Sequence, residues 1–327
     1  MFNVWLERLN NLTKRNQMKI FSHITLILLS VAILSSCSDD SEDPTPATTT
    51  TTEDLDIVGT AMGSKDLSIL VDALKAADGD LVGLLQGQGP FTVLAPTNTA
   101  FTTFLKDNGF AKLEDVPTDI LANILKNHVI SGELKAEDLT KLGSGYSNTS
   151  ATGPNGKSLS IYFNTTEGVK FNGVSSVATP DVQASNGVVH IVDAVIGLPT
   201  IVDFALANPA LSNLVDALMF ADENNNPSPN LVKTLSAPGE FTVFAPIDDA
   251  FAALLKELDP TGMTSLTDLS GELVASVLTQ HVVTGNITSS DLTSGPVKTL
   301  GGDVTLDAAK LTITDMNDRE TNIIAAL

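Results

Sequence analysis

The run Phe91-Thr92-Val93-Leu94-Ala95-Pro96 is nearly repeated 150 residues later as Phe241-Thr242-Val243-Phe244-Ala245-Pro246. Each run is apolar and ends at a proline, which cannot donate a hydrogen bond to a sheet, so each predicts a short buried strand that stops there. A polar residue follows each strand, Asn98 in one case and Asp248 in the other, and is suited to cap a helix. The chain therefore contains two copies of one strand–helix unit.

Apolar residues at helical spacing lie on both sides of each copy of this unit. Such spacing draws one apolar stripe along a helix and predicts a buried face. The stripe before each strand comprises Leu67, Leu70, Val71 and Leu74, repeated as Leu211, Leu214, Val215 and Leu218; the later stripe comprises Leu121, Ile124, Leu125 and His128, repeated as Val274, Val277, Leu278 and His281.

The second part of each copy has the short alternating or β-branched runs that indicate strands. In the first copy these are residues 159–163, 169–171 and 188–192, with a tight turn predicted at Pro154-Asn155-Gly156. In the second copy they are residues 304–306 and 311–313, preceded by Gly301-Gly302. Helices followed by antiparallel strands predict an α+β fold.

Three sets of motifs resemble those of the fasciclin domain. Phe91–Phe101 and Phe241–Phe251 look like its first signature, and Asn186–Asp193 looks like its second. Asn127-His128 and Gln280-His281 stand where the family usually carries a Tyr-His pair, so a function that depends on that phenol is not expected. The resemblance implies two tandem domains, 54–199 and 200–327, each a β-sandwich wedge with packed helices. It also implies a role in adhesion or extracellular matrix contact.

The second copy lacks a counterpart of the final strand of the first. Aligning Ile323–Leu327 on Val177–Asp181 leaves nothing to match Val182–Pro199. That segment supplies six branched apolar side chains in the first copy, and their burial rivals the whole stability of a small domain. We therefore expect domain 200–327, as a truncated sequence, to be unstable and to expose a sheet edge.

The N-terminal 36 residues predict an extension followed by a lipoprotein signal peptide. The apolar run Ile20–Leu34 is too short to cross a bilayer and is typical of a signal sequence. It ends in Leu34-Ser35-Ser36-Cys37, which resembles the bacterial lipobox, and Cys37 is the only cysteine. We expect Cys37 to carry lipid; the alternative is a secreted protein with a free thiol at this position.

Residues 37–53 predict an extended tether between that lipid and the first domain. Ser38–Asp43 is acidic and is similar to a tag that exports lipoproteins to the surface of some Gram-negative bacteria; a solvated spacer is the alternative. Pro44–Thr52 is rich in threonine and proline and cannot bury apolar area. The expected location is therefore the outer membrane, on the cell surface, with the lipid as the contact with the membrane.

Composition and motifs exclude several functions. The chain has 18 basic against 39 acidic residues, which disfavours nucleic acid as a partner. We find no catalytic, phosphate-binding or metal-ligand motif, and we expect neither a cofactor nor enzymatic activity. His128 and His281 lie on apolar helix faces, so we interpret them, with Asn127 and Gln280, as a structural core motif rather than as ligands or bases.

The resemblance also supplies one candidate contact for adhesion. Animal fasciclin domains are reported to engage receptors through an Asp-Ile pair just before the second signature, and Asp181-Val182 occupies the matching positions. The alternative is an ordinary loop that leads into a strand. The leading hypothesis is a non-enzymatic adhesion lipoprotein with an extracellular protein or polysaccharide partner. A glycan- or nutrient-handling surface lipoprotein is the alternative, and a hydrolase is a third reading for which we find no nucleophile–base pair.

Overall fold

The computed structural model describes residues 55–153, 156–225, 227, 229–237 and 239–324. Within them the chain forms two consecutive units in which helices precede most of the strands, and we refer to residues 55–199 as domain 1 and to residues 200–324 as domain 2. This arrangement confirms the predicted α+β class. The signal peptide, the tether, Cys37 and the turn residues Pro154 and Asn155 lie outside the described residues.

The helices of domain 1 bury the stripes that their sequence spacing predicts. Leu70, Val71 and Leu74 are buried on the second helix, while Leu67 is buried in the short 3-10 turn before it. The described α-helices are α1 (Ile57–Met62), α2 (Ser68–Ala76), α3 (Leu81–Gln86), α4 (Asn98–Asp107), α5 (Thr118–Lys126) and α6 (Ala136–Leu142).

The seven strands of domain 1 form two sheets that share edges and close on each other. Strands β3 and β6 each pair on both sides and shift register along their length, so they pass from one sheet to the other and give the predicted β-sandwich wedge. The strands are β1 (Phe91–Pro96), β2 (Val129–Ser131), β3 (Ser144–Thr152), β4 (Ser158–Asn164), β5 (Lys170–Phe171), β6 (Ser175–Ala184) and β7 (Gly187–Val192).

Strand β1 lies at the centre of domain 1. It pairs antiparallel with β2 over Phe91–Val93 and parallel with β7 along its whole length. Its two faces contact two apolar clusters. Val93 and Ala95 pack with helices α1 to α5, whereas Leu94 packs between the sheets with Ile161, Phe163 and Phe171. The repeated sequence is therefore buried on both faces, as its apolar composition predicts.

The polar residue after each repeated strand does not cap its own helix, contrary to the sequence prediction. The hydroxyl of Thr97 caps α4 by accepting from the Ala100 amide. The Asn98 side chain instead reaches back to the start of α2, where it accepts from the Ile69 amide at 2.9 Å and donates to the Lys65 carbonyl. This residue therefore joins two helices.

The described part of domain 2 repeats five of the six α-helices of domain 1 but divides its strands differently. The described helices are α7 (Ile201–Ala207), α8 (Ser212–Glu223), α9 (Leu231–Leu235), α10 (Asp248–Leu258) and α11 (Gly271–Thr279). Strands β8 (Phe241–Val243) and β9 (Val282–Thr284) form one pair, and β10 (Gly295–Lys298), β11 (Asp303–Asp307), β12 (Thr312–Thr314) and β13 (Glu320–Asn322) form a second sheet. In this domain Asp248 repeats the role of Asn98, since it accepts from the Asn213 amide at the start of α8.

Strand β8 ends at Val243 and not at Pro246 as the sequence predicts. In domain 1 the last three residues of β1 pair only with β7, because β2 reaches no further than Val93. Among the described residues, domain 2 has no strand in the place of β7, so residues 244–246 have no neighbouring ladder. Val243 is consequently half-buried, whereas Val93 is buried.

Among the described helices, no single one is long and apolar enough to cross a membrane. Residues Ile201–Ala207 and Pro209–Glu223 reach that length and composition only together, across a bend of 109°. Both segments contribute buried side chains to the apolar cluster of domain 2, including Val202, Leu214 and Leu218.

Candidate adhesion site

The candidate contact Asp181-Val182 lies inside strand β6, not in a loop before a strand. The pairing of β6 with β7 shifts register between Thr179 and Val182, and Asp181 has a positive φ of 58° at this bulge. Aspartate is one of the few residues other than glycine that tolerate this conformation. The alternative interpretation placed these two residues in an ordinary loop, and this is wrong because both lie within a strand.

The Asp181 carboxylate is engaged within domain 1 although its side chain is 35% exposed. Its Oδ1 accepts from the Ala136 amide at 2.9 Å, at the first residue of α6. Its own amide donates to His190 Nδ1 at 3.2 Å, and the fully buried imidazole donates from Nε2 to the Leu134 carbonyl at 2.8 Å. Asp181 and His190 thus fasten β6 and β7 to the segment that leads into α6.

Val182 faces the interior. It pairs with Val189 of β7 and packs against the apolar cluster of the helices. The exposed surface next to the bulge comes instead from Ala178, Thr179 and Pro180. Of the two candidate residues, only Asp181 presents a polar group toward solvent.

His128 has both ring nitrogens bound to the backbone inside domain 1. Nδ1 donates to the Ile124 carbonyl at 2.8 Å, one turn earlier in α5, and Nε2 accepts from the Ile196 amide at 2.9 Å. The ring is 2% exposed, and burial lowers the pKa of His128 to about 4. A neutral imidazole with these bonds joins the end of α5 to the segment after β7 and has no free nitrogen for a metal or a proton transfer.

Asn127 makes a second connection at the same point. It is fully buried, its Nδ2 donates to the Gly197 carbonyl at 3.1 Å, and its Oδ1 accepts from the Thr149 hydroxyl at 3.1 Å. The residue that stands in place of the family's usual tyrosine therefore satisfies both ends of its amide within the fold.

The corresponding pair in domain 2 is less fully bonded. His281 Nδ1 donates to the Val277 carbonyl at 2.8 Å, and burial lowers the pKa of His281. Among the described residues, no amide takes the place of Ile196 at its Nε2, and Gln280 is half-buried. The difference follows from the absence of a β7 counterpart in the described part of domain 2.

Asn186 is a connecting residue whose role sequence reasoning missed. Its Oδ1 accepts from the Ile57 amide at 3.0 Å, and its Nδ2 donates to the Leu85 and Gly87 carbonyls at 2.7 and 2.9 Å. The sequence does place Asn186 at the start of the second signature. A polar residue at a turn gives no sign, however, that its side chain bonds two helices that lie more than 90 residues earlier in the chain.

Cavities and clusters of titratable side chains are the places in a fold where a small ligand or a metal ion can bind. Within the described ranges, His, Cys, Asp and Glu side chains do not gather in threes to hold a metal ion. An apolar cavity of about 20 Å³ lies beneath β1, between Leu70, Leu125, Val129 and His128, and is too small for an organic ligand. A second, open depression of about 500 Å³ lies at the surface beside the end of α4 and is lined by Leu105, Lys106 and Phe110.

Comparison with known proteins identifies the domain. The sequence profile described as the Fasciclin domain matches residues 65–199 and 211–326. An uncharacterized protein of Synechocystis, sll1735, is 36% identical over 140 residues, which are 43% of this chain and 96% of that protein. The cell surface glycolipoprotein MPB83 of Mycobacterium bovis is 38% identical over 104 residues, which are 32% of this chain and 43% of that protein.

Among solved structures, a FAS1 domain pair from the insect cell adhesion molecule Fasciclin I matches 80% of this chain and 91% of its own, with a TM-score of 0.45 and 18% identity. The Fasciclin profile itself matches two consecutive stretches that together make up most of the chain. The protein therefore belongs to the fasciclin domain family and carries two tandem copies of the domain.

Proposed function

We propose that this protein is a non-enzymatic cell-surface adhesion protein that contacts an extracellular protein or polysaccharide through its fasciclin domains. The observation that carries the proposal is the tandem fasciclin assignment, since the family resemblance implies adhesion or matrix contact. The histidines of domain 1 agree with a role without catalysis, because the ring nitrogens of His128 and His190 are bound to backbone or Asp181 amide groups.

The proposed location is the outer membrane, with the domains on the cell surface and lipid on Cys37 as the anchor. Two features support it: the lipobox-like Leu34–Cys37 and the similarity to a protein described as a cell surface glycolipoprotein. One acyl chain binds a membrane only marginally, so a stable anchor needs two or more on this cysteine. Labelling with palmitate should mark the wild-type protein and not Cys37→Ser; labelling of both would exclude this anchor.

Asp181 is the proposed contact for a partner. Its carboxylate is partly exposed beside the exposed residues 178–180, while one oxygen holds the Ala136 amide. Replacing it with alanine would remove both the charge and this hydrogen bond. Asp181→Asn is the sharper test, because asparagine also tolerates a positive φ and keeps an oxygen that can accept from Ala136.

The experiment compares adhesion of cells that display the full lipidated chain. We expect Asp181→Asn to lose adhesion to a protein- or polysaccharide-coated surface without a change in melting temperature. Asp193→Asn is the matched control, since Asp193 also accepts a backbone amide, from Ser176 at 2.7 Å, but is not one of the two candidate contact residues. Equal adhesion by the wild type and Asp181→Asn would remove Asp181 from the proposal.

The structure gives no support to the alternative of a sugar-handling protein. Such proteins usually offer exposed aromatic faces, but Tyr146 and Tyr162 pack on each other with centroids 4.9 Å apart. Binding of the purified chain to a glycan array, lost on unfolding, would favour that alternative.

A further inference from the structure

One tyrosine of domain 1, Tyr146, contacts the first helix of domain 2. Tyr146 of β3 and Tyr162 of β4 are directly paired across the strands, and the Tyr146 ring lies 6.1 Å from that of Phe204 in α7. Asn208, just after α7, donates from Nδ2 to the Tyr146 hydroxyl at 3.2 Å. Burial raises the pKa of Tyr146, as expected for a phenol covered by a neighbouring domain.

The tip of the next hairpin approaches the same helix closely. Asn172 and Gly173, between β5 and β6, have φ values of 45° and 65°, as in a tight two-residue turn. A Cβ atom on Gly173 would lie 3.1 Å from the Ala207 Cα. A side chain at this position would require the turn and the helix to move apart by a few tenths of an ångström.

A second contact joins the domains at the other end of the β3–β4 hairpin. Lys157, next to the hairpin turn, places its ammonium 2.6 Å from Asp291 Oδ2 and 3.0 Å from the Thr288 hydroxyl. The hydrogen bond from Lys157 holds the pKa of Asp291 below its usual range, together with hydrogen bonds from Thr288. The Lys157 ammonium is therefore bound by two side chains of domain 2.

The two contacts are separated along the β3–β4 hairpin. Lys157 and Tyr162 are five residues apart on the same side of the hairpin, or roughly 16 Å at about 3.3 Å per residue. A single contact permits rotation about itself, whereas two contacts at this separation oppose it. Phe204 is also absent from the apolar clusters of both domains, so its ring serves the junction and not a core.

We propose that the aromatic contact at Tyr146, Phe204 and Asn208 and the ion pair Lys157–Asp291 together lock the two fasciclin domains in one fixed orientation. The chain then presents its two modules as a single rigid body and not as independent units on a flexible link. This inference concerns orientation alone and does not depend on which partner the protein binds.

The test measures the distance distribution between spin labels, one in each domain. Lys106→Cys and Lys256→Cys place the labels at exposed, equivalent positions on α4 and α10, and Cys37→Ser removes the native thiol of the full chain. We expect one narrow distance peak in this background. The peak should be lost when Phe204→Ala and Lys157→Asp are combined, while circular dichroism shows that the helices remain.

A charge exchange separates the junction from general destabilisation. Lys157→Asp in the Phe204→Ala background should broaden the distribution, and adding Asp291→Lys should restore the narrower one. Lys310→Asp, which breaks an exposed pair within domain 2, is the matched control and should have no effect. A broad distribution in the labelled background chain, or a narrow one that survives Phe204→Ala with Lys157→Asp, would overturn the proposal. If Phe204→Ala does not fold, the test is the comparison of Lys157→Asp with Lys157→Asp plus Asp291→Lys in the labelled background chain.

Discussion

Lowering the pH from about 7.5 to about 5 should remove about 2 kcal/mol of stability from domain 1 through one side chain, His128. In the folded protein Nδ1 carries the hydrogen that binds the Ile124 carbonyl, and Nε2 accepts from the Ile196 amide. Protonation would place a second hydrogen on Nε2, facing the N–H of Ile196. The charged ring would also be buried without a counter-charge among its bonded partners.

The sign follows from the direction of the pKa shift. The folded pKa is about 4, below the 6.5 of a free histidine, so the unfolded chain binds more protons between these values. The stabilisation from His128 is complete above pH 6.5 and is lost progressively as the pH falls toward 4. The two pKa values give about 2 kcal/mol at about pH 5.

Urea unfolding of the full chain can follow this effect, because Tyr146 and Tyr162, the two tyrosines of the sequence, both lie in domain 1. Tyr146 also contacts Asn208 of domain 2, so a matched variant of domain 2 is needed to separate the two domains. Their near-ultraviolet circular dichroism should give a free energy of unfolding that falls with pH in the wild type. His128→Gln should be less stable than the wild type at about pH 7.5. Its free energy of unfolding should then fall by about 2 kcal/mol less than that of the wild type on going to about pH 5. His281→Gln, in the other domain, should keep the wild-type slope. Equal pH dependence in the wild type and His128→Gln would refute the reasoning.

Three further predictions concern stability. Asn127→Ala should lower the free energy of unfolding of domain 1 by about 2 kcal/mol in urea titrations, because it removes the hydrogen bonds of a fully buried amide to the Gly197 carbonyl and the Thr149 hydroxyl. Asp248→Ala should destabilise domain 2 by about 1 kcal/mol, detected as faster hydrogen exchange at the start of α8, since the Asn213 amide loses its acceptor; Asp249→Ala is the neighbouring control. Residues 200–327 expressed alone should melt less cooperatively than residues 54–199, because β8 pairs only with β9 among the described strands; a sharp calorimetric transition would contradict this.

The sequence predicted the features that depend on local periodicity and on repetition. The buried stripe of α2 and the strand β1 lie where their apolar spacing placed them. Strand β8 is shorter than its twin in domain 1 although the two sequences are nearly the same, because strand length is set by the neighbouring strand and not by the strand's own residues. Periodicity within one segment cannot report the presence of a partner far along the chain.

The candidate site was less predictable for the same reason. Asp181 could be located by motif, but its place in a bulge and its bond to Ala136 depend on the register of β6 against β7. Asn98 looks like a helix cap in sequence because capping and long-range bonding use the same side chains. A helix cap and a long-range bond differ only in which backbone amide lies next to the Asn98 side chain. The packing of α2 against α4 determines which amide that is.

The parallel pairing of β1 with β7 has a consequence for the order in which domain 1 can be assembled. Phe91 lies opposite Gly187, 96 residues later, and both edges of β1 are filled only when β7 is present. A chain that emerges from its N-terminus, from a ribosome or through a translocation channel, therefore cannot close this domain until nearly all of it has appeared. Until then β1 offers an unpaired apolar edge that chaperones must shield, and synthesis or transport can proceed without a premature native fold blocking the passage.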